Sequence, residues 1–451
     1  MSLWHAMAHG FDLWFFGSGR FYPLLIVEKY VVFSIFTNLF AYKLLLVLAT
    51  VAMIEVFRRC VAAYSSRSLA NLAALIAVGL LVERGYHDPI LSYNAMPQVV
   101  ALLVLCSIMA FRHVLKGETG AWSVASIALY ALAALTYEDA YGLALLYPLL
   151  ATAARRTWRD VLRVSGPYLL IAAALTLFGL TARAIAHVPA YSPYGLNPAA
   201  GAVLRTVADQ IGAALPLGYY LFDPSHIFSR NGFYDFYNNA PVQPLLFVAF
   251  ALAAAFALAD AASESVDVRP AIAAGAAVTI LAAAPIALLV KYQSELRPGL
   301  GYLPVLYEEL GLALVLAGLA VLTMRQTRRR WWQAGWVAAI AVVATIAQAT
   351  NVRVVREGWA EMEARAVLER QLDDGLLKAV PENAFIATAP REWIAYDGQG
   401  PEGISSRGLF FLHGGSRVRL VAPSDPRAEI VLTYDPARRR WSLMRSGSER
   451  E

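Results

Sequence analysis

Residues 304–324 read PVLYEELGLALVLAGLAVLTM, and Arg325 follows them directly. An α-helix rises 1.5 Å per residue, so an apolar run of about 20 residues is long enough to cross a hydrocarbon layer ~30 Å thick. Apolar runs of comparable length recur along the chain. They predict spans at 41–57, 69–84, 95–112, 121–137, 138–154, 166–186, 243–262, 271–291, 304–324 and 331–350. The expected fold is therefore an all-α polytopic membrane protein with about ten transmembrane helices.

The composition agrees with this prediction. Hydrophobic residues make up 58% of the sequence and charged residues 16%, and the mean hydropathy is +0.51. A soluble domain is nearer half apolar and a quarter charged, so the excess requires lipid contact or a very large core. The two cysteines, Cys60 and Cys106, provide neither a disulfide framework nor a cysteine-rich metal site. The net charge of +5 comes with basic residues clustered in short loops, so no nucleic-acid partner is expected.

The positive charges also predict the orientation of the chain. Four loops on one side are rich in basic residues, namely Arg58, Arg59 and Arg67; His113 and Lys116; Arg155, Arg156, Arg159 and Arg163; and Arg325 with Arg328, Arg329 and Arg330. Short basic loops remain in the cytoplasm. The opposite, extracytoplasmic face then holds residues 1–40, 85–94, 187–242 and 292–303, together with everything after residue 350.

The last hundred residues differ from the rest. Residues 1–350 form the predicted membrane domain, and 351–451 form a second domain. Residues 352–378 have an amphipathic helical pattern, which Pro381 ends. Short alternating runs then follow at Ala384–Ala389, Gly408–Leu412, Arg417–Val421 and Glu429–Tyr434. They predict a small extracytoplasmic domain that is α+β or β-rich.

Ionisable residues at membrane depth are costly, so polar clusters on the outer face are the candidate functional groups. Arg20 lies in a glycine-flanked turn, where its guanidinium could form bidentate hydrogen bonds with a phosphate or contact lipid headgroups. Asp12 precedes it. The 83–94 loop carries His87 and Asp88, which could serve a catalytic site or simply face water.

Two further clusters complete the set. Glu138 and Asp139 are adjacent acids in a turn between two apolar helices, and such a turn favours a contact with substrate hydroxyls or with Arg20. Lys291 emerges from the end of a span into a loop shaped by glycine and proline, with Arg297 and Tyr302 close behind. These groups suit the capture of a lipid-linked phosphate, although a lysine at this depth could also extend to the headgroups.

The order of these motifs resembles a known family. The segments are GRFYPL at 19–24, YED at 137–139 and KYQSELRPGLGYLPVLYEELG at 291–311. Together with the basic inner loops and the terminal outer domain, they resemble the GT-C superfamily of membrane glycosyltransferases. The chain looks most like bacterial members related to O-antigen glucosyl- and mannosyltransferases. The resemblance implies a polyprenyl-phosphate sugar donor, a glycan, lipid or protein acceptor, and a place in the bacterial cytoplasmic membrane.

The resemblance also implies roles for the candidate residues. In this family, acids of the outer loops are essential, which makes Asp12, Asp88 and Glu138 the catalytic candidates. The groups expected to bind the substrate or the lipid phosphate are Arg20, His87, Asp139, Lys291, Arg297 and Tyr302. No metal-ligand set is recognisable, and assistance by Mg²⁺ or Mn²⁺ stays open.

Two alternatives remain at this point. A lipid-linked oligosaccharide polymerase or flippase would also have many spans, but it should have arginine-rich outer loops or cationic cavities, whereas the arginines of this chain are concentrated in the inner loops. A secondary transporter should show two similar halves with interrupted spans. The family also begins with a cytoplasmic N-terminus and a first span that this sequence lacks. We therefore expect the natural reading frame to start roughly 30–60 residues upstream, with that span and an acidic pair.

Overall fold

The computed structural model describes residues 3–36, 38–84, 88–91, 93–118, 120–187, 195–218, 243–296, 298–327, 330–378, 380–388, 418–421, 425–435 and 437–445. The chain divides into two compact units, Met1–Asn351 and Val352–Glu451. The helices are α1 Leu3–Ser18, α2 Pro23–Ile35, α3 Leu39–Tyr64, α4 Arg67–Leu80, α5 Met96–Leu115, α6 Ala121–Thr136, α7 Ala140–Leu143, α8 Leu146–Ala153, α9 Trp158–Ile185, α10 Ala200–Ala214, α11 Gln243–Ser263, α12 Arg269–Ala287, α13 Val290–Glu295, α14 Val305–Thr327 and α15 Arg330–Asp373. The strands are β1 Phe385–Thr388, β2 Arg419–Val421, β3 Ile430–Asp435 and β4 Arg440–Arg445.

The first unit is a bundle of apolar helices. Seven helices in the described part of the chain are long and apolar enough to cross a membrane: α3, α5, α9, α11, α12, α14 and the first half of α15. The apolar segments Arg67–Leu80, Ala121–Thr136 and Ala140–Ala153 are shorter. Every predicted span therefore coincides with an apolar helix. Three of them, however, fall short of the roughly 20 residues that a lone helix needs.

Outside the predicted spans, the structure differs from the prediction in two places. Helix α15 runs through 44 residues without a break, whereas the sequence suggested that a span ends near residue 350 and a separate helix follows. No proline interrupts residues 330–373, so nothing forces the helix to stop where its hydrophobicity declines. The second difference lies in the predicted outer loops, where α1 forms within 1–40 and α10 within 187–242, and neither helix was predicted.

Helices α12 and α14 pack closely because both lack side-chain bulk where they meet. A Cβ atom added to Gly275 would lie 2.5 Å from the carbonyl oxygen of Gly311, and one added to Gly311 would lie 2.6 Å from that of Gly275. No side chain fits at such distances. Small residues allow this close approach in helices that contact lipid, where van der Waals packing drives association.

A polar network holds α5, α6, α8 and α9 together. The hydroxyls of Ser107 and Tyr147 lie 2.6 Å apart, and Tyr168 donates a hydrogen bond of 2.6 Å to the hydroxyl of Ser126. The rings of Tyr147 and Tyr168 stack with centroids 3.6 Å apart. These contacts fix α6 and α9 relative to each other, which matters because both end at the candidate site described below.

The second unit is a small α+β domain, one of the two forms predicted. Its four strands form one sheet in the order β2-β1-β3-β4, with β1 parallel to β2 and β3, and β3 antiparallel to β4. The C-terminal part of α15 packs on the sheet through Leu368 and Leu372. Trp441 is fully buried there, and its indole N–H donates to the Ala364 carbonyl at 2.7 Å. The predicted run Gly408–Leu412 lies outside the described residues.

Candidate functional site

The segments that carry the candidate residues come together at one end of the bundle. Contacts between residues that are far apart in the chain show that the ends of α1, α6, α9 and α12 lie close together. Arg20 follows α1, Glu138 follows α6, Arg183 lies in the last turn of α9 and Lys291 follows α12. Contacts between these residues, described next, define a single cluster.

Arg20 is positioned by the turn between α1 and α2. Gly19 has a left-handed backbone with φ of 63°, and the Arg20 N–H donates to the Trp14 carbonyl at 3.0 Å. A Cβ atom at Gly19 would lie only 2.5 Å from Cγ of Arg183, so the turn can approach α9 only with glycine at this position. The backbone thus brings two arginines to the same place.

The Arg20 side chain is buried and contacts the acidic turn after α6. Its guanidinium forms a short ion pair with the Glu138 carboxylate and donates to the Tyr137 hydroxyl at 3.4 Å. It also lies 4.9 Å from the centre of the Tyr22 ring. Burial alone would lower the pKa of Arg20, but the Glu138 charge raises it well above its usual value. The contact expected between Arg20 and the YED motif is present.

Asp139 is the most unusual group in the cluster. Its side chain is completely buried, and neither carboxylate oxygen has a hydrogen-bond partner among the described residues. Burial, with a further contribution from the Glu138 charge, raises the pKa of Asp139 well above its usual value. A buried polar group without a partner costs about 1–3 kcal/mol, so such a group is rarely kept without a use.

Two more cations lie next to this turn. Arg183 interacts electrostatically with Glu138 and with Arg20, and its Nε has no hydrogen-bond partner among the described residues. Lys291 is only 15% exposed, and its ammonium lies 3.9 Å from Glu295. Burial lowers the pKa of Lys291, Glu295 opposes that shift, and the Arg20 charge adds to it. The cluster therefore holds three cations and two paired acids, Glu138 and Glu295.

Tyrosine rings close the cluster on the side of Lys291. Its ammonium is 5.7 Å from the centre of the Tyr292 ring and 5.9 Å from that of Tyr302. The Tyr302 hydroxyl is 3.1 Å from that of Tyr93. Gln210 of α10 holds the Tyr302 backbone from both sides, accepting from its N–H at 3.0 Å and donating to its carbonyl at 3.1 Å.

Asp88 has a different environment. Its carboxylate accepts hydrogen bonds from the backbone N–H groups of Arg84, Ile90 and Leu91, at 2.6, 2.7 and 2.6 Å. Burial raises the pKa of Asp88, and these hydrogen bonds oppose the shift. The Arg84 side chain forms a buried ion pair of 3.1 Å with Glu309. These contacts are those of a group that shapes a loop, since a general base needs an oxygen free to accept the substrate proton.

Three predicted residues remain, and one residue of the cluster was not predicted. Asp12 is exposed on α1. His87 and Arg297 lie outside the described residues. Arg183 was not predicted, because it was counted as part of the 166–186 span. A cation inside an apolar run is itself a functional signal in membrane proteins, and that signal would have identified it.

A divalent cation would need converging ligands. Among the residues that the structure describes, no group of three or more histidine, cysteine, aspartate or glutamate side chains is arranged to hold a metal ion. The two acids of the turn do not make such a set, because Glu138 already pairs with Arg20. We therefore assign no chemical step to a metal.

Comparison with known proteins gives one match. No protein-family model matches the chain, and no curated protein does either. Among solved structures, the chain is similar to the crystal structure of ArnT from Cupriavidus metallidurans bound to undecaprenyl phosphate. The identity is 13%, the match covers 93% of this chain and 81% of that one, and the TM-score is 0.37. A TM-score of this size does not establish a shared fold, so the functional argument rests on the residues above.

Proposed function

We propose that this protein is a membrane glycosyltransferase that moves a sugar from a polyprenyl-phosphate donor to a glycan, lipid or protein acceptor. The observation that carries the proposal is the cluster of Arg20, Arg183 and Lys291, whose three positive charges outnumber their two paired acids, Glu138 and Glu295. Like charges brought together in a buried place repel each other. A phosphate at the membrane surface would offset the excess positive charge.

The geometry gives each residue a role in such a transfer. Arg20 and Arg183 present planar guanidinium groups, which match phosphate oxygens in two-point contacts, whereas Lys291 supplies a point charge. As the bond between the sugar and the phosphate breaks, negative charge builds up on the phosphate, and these cations stabilise it. A carboxylate of the 138–139 turn takes the proton of the acceptor hydroxyl. Burial of the cluster strengthens each of these interactions by excluding water.

The sequence supports further details of the proposal. The basic loops favour a cytoplasmic side opposite to the cluster, so transfer would take place on the outer face of a bacterial cytoplasmic membrane. Nucleotide sugars are absent from that compartment, which favours a donor carried on a lipid. The C-terminal unit would lie on the same outer side. A transferase of the O-antigen glucosyl- or mannosyltransferase type is the form that the resemblance suggests.

The proposal is tested on the purified full chain in lipid nanodiscs. We expect it to bind a polyprenyl phosphate but not the uncharged polyprenol, and to consume polyprenyl-phosphate-linked glucose or mannose. A hydrogen bond to a charged group contributes about 1.5–3 kcal/mol, so Arg183→Ala should weaken binding of the polyprenyl phosphate by about 10–150-fold.

The matched control is Arg205→Ala. Arg205 is an arginine of α10 that is 79% exposed and 3.7 Å from Asp209. Its replacement should leave binding of the polyprenyl phosphate unchanged. Equal affinity of the wild-type chain for the phosphate and for the uncharged alcohol would contradict the proposal.

A further inference from the structure

The Arg20–Glu138 ion pair affects how a donor phosphate can bind. The guanidinium best placed to bind the donor phosphate already holds a carboxylate. Within the cluster, the Glu138 side chain keeps 14% of its surface exposed, whereas Asp139 is fully buried. An incoming phosphate would therefore meet Glu138 at Arg20, and the two anions would compete for the same N–H donors.

We propose that the donor phosphate displaces Glu138 from Arg20, and that the released Glu138 carboxylate is the base that takes the acceptor proton. The inference rests on the proposed function and adds an order of events to it. Without the donor, Arg20 binds the carboxylate and prevents it from accepting a proton. With the donor bound, the carboxylate has lost its partner in a poorly solvated place, which strengthens it as a base.

The sugar is then transferred in a single displacement. The acceptor O–H bond breaks, and its proton passes to an oxygen of Glu138. The acceptor oxygen forms a bond to the anomeric carbon of the sugar as the bond from that carbon to the phosphate oxygen breaks. The electron pair of that bond stays with the polyprenyl phosphate, whose added charge Arg20, Arg183 and Lys291 stabilise. When the phosphate leaves, Glu138 releases its proton and pairs with Arg20 again.

Asp139 lies beside this exchange, and its side chain is more deeply buried than that of Glu138. The groups that face it are Glu138 and Tyr137 in the same turn, Arg20 from the α1–α2 turn, Tyr292 of α13, and Tyr307 and Glu308 of α14. Burial, with a contribution from the Glu138 charge, raises the pKa of Asp139. The proposal therefore gives the proton-accepting role to Glu138, whose side chain is partly exposed.

The exchange predicts that removal of the Glu138 charge strengthens the binding of a polyprenyl phosphate. If Glu138 competes with phosphate for Arg20, Glu138→Gln removes the competitor, and the variant should bind a polyprenyl phosphate about tenfold more tightly than the wild-type chain. Sugar transfer should nevertheless be lost, because the base is gone. Glu118→Gln is the matched control, because it makes the same replacement at a glutamate that is 49% exposed and pairs with His113, outside the cluster, and its affinity should equal that of the wild-type chain.

Equilibrium binding of a polyprenyl phosphate to the full chain in nanodiscs tests the inference. Glu138→Asp provides a second variant, because its shorter side chain reaches Arg20 less well and should bind the phosphate with intermediate affinity. Unchanged or weaker binding by Glu138→Gln would overturn the exchange and make Glu138 a residue that only positions Arg20. Failure of the wild-type chain to distinguish the phosphate from the uncharged polyprenol would instead overturn the proposed function itself.

Discussion

Replacement of Arg84 should destabilise the membrane unit more than any other single loss of charge described here. Arg84 is 2% exposed and lies between three segments. Its guanidinium donates to the carbonyl groups of Gly299, Leu300 and Ala213 at 2.8–3.0 Å, and to the Glu309 carboxylate at 3.1 Å. Arg84→Met fills a similar volume but removes all of these donors at once.

The magnitude follows from what the substitution leaves behind. Removing one partner of a buried ion pair costs about 3–5 kcal/mol, because the other charge stays buried without compensation. Here that charge is Glu309, which is also nearly inaccessible to solvent. Glu309→Leu should cost a similar amount. The double variant Arg84→Met/Glu309→Leu leaves no buried charge, so its loss should be smaller than the sum of the two single losses by about 0.5–3 kcal/mol.

Denaturant titration of the purified chain in mixed micelles, followed by tryptophan fluorescence, measures these free energies of unfolding. Each single variant is compared with the double variant and with the wild-type chain. Additive losses would show that the two charges do not depend on each other. A change of less than about 0.5 kcal/mol in Arg84→Met, the range of an ordinary surface substitution, would refute the reasoning altogether.

Three other predictions concern separate parts of the molecule. Because the pKa of Lys291 is lowered, its ammonium deprotonates at a lower pH than that of an ordinary lysine. Binding of a polyprenyl phosphate should therefore weaken as the pH rises through that range. A binding titration of Lys291→Arg should show no such loss. Gly311→Val places a side chain against the Gly275 carbonyl and should lower stability by about 1–3 kcal/mol or more, measured by thermal unfolding. Trp441→Ala should cost about 3–5 kcal/mol in the C-terminal unit, detected as faster proteolysis of residues 352–451, and leave phosphate binding unchanged.

The positions of the apolar helices could be predicted because the signal is strong and local. A run such as 304–324 has few alternatives to a membrane helix, and each predicted span coincides with a helix of the structure. The ends were harder to predict. Hydrophobicity declines near residue 350, but the helical hydrogen bonds of α15 do not depend on it and continue to Asp373. The α10 helix was not predicted. Charge and length identify residues 187–242 as a connection between spans, but they do not indicate which secondary structure forms inside it.

The sequence suggested the contact between the YED turn and Arg20, whereas contacts that depend on tertiary packing alone could not be predicted. Adjacent acids at the end of an apolar helix are costly wherever they lie, so the YED turn could be identified from the sequence and paired with Arg20. Arg183 belongs to the same cluster, yet its place depends on how closely the Gly19 turn approaches α9. No local pattern in the sequence encodes that distance.

Asp88 and Glu138 show most clearly what the sequence leaves open. Both are acids in short connections between apolar helices, and both were predicted to be catalytic. In the folded chain, Asp88 accepts three backbone N–H groups and stabilises its own loop, so a reaction at Asp88 would have to break that loop first. Glu138 pairs with Arg20, a side chain from another segment, and under the proposed exchange a phosphate takes over that contact. The two acids therefore differ in their partners, and partners are set by tertiary packing. If the proposed exchange holds, this difference separates an acid that stabilises its loop from one that accepts the proton.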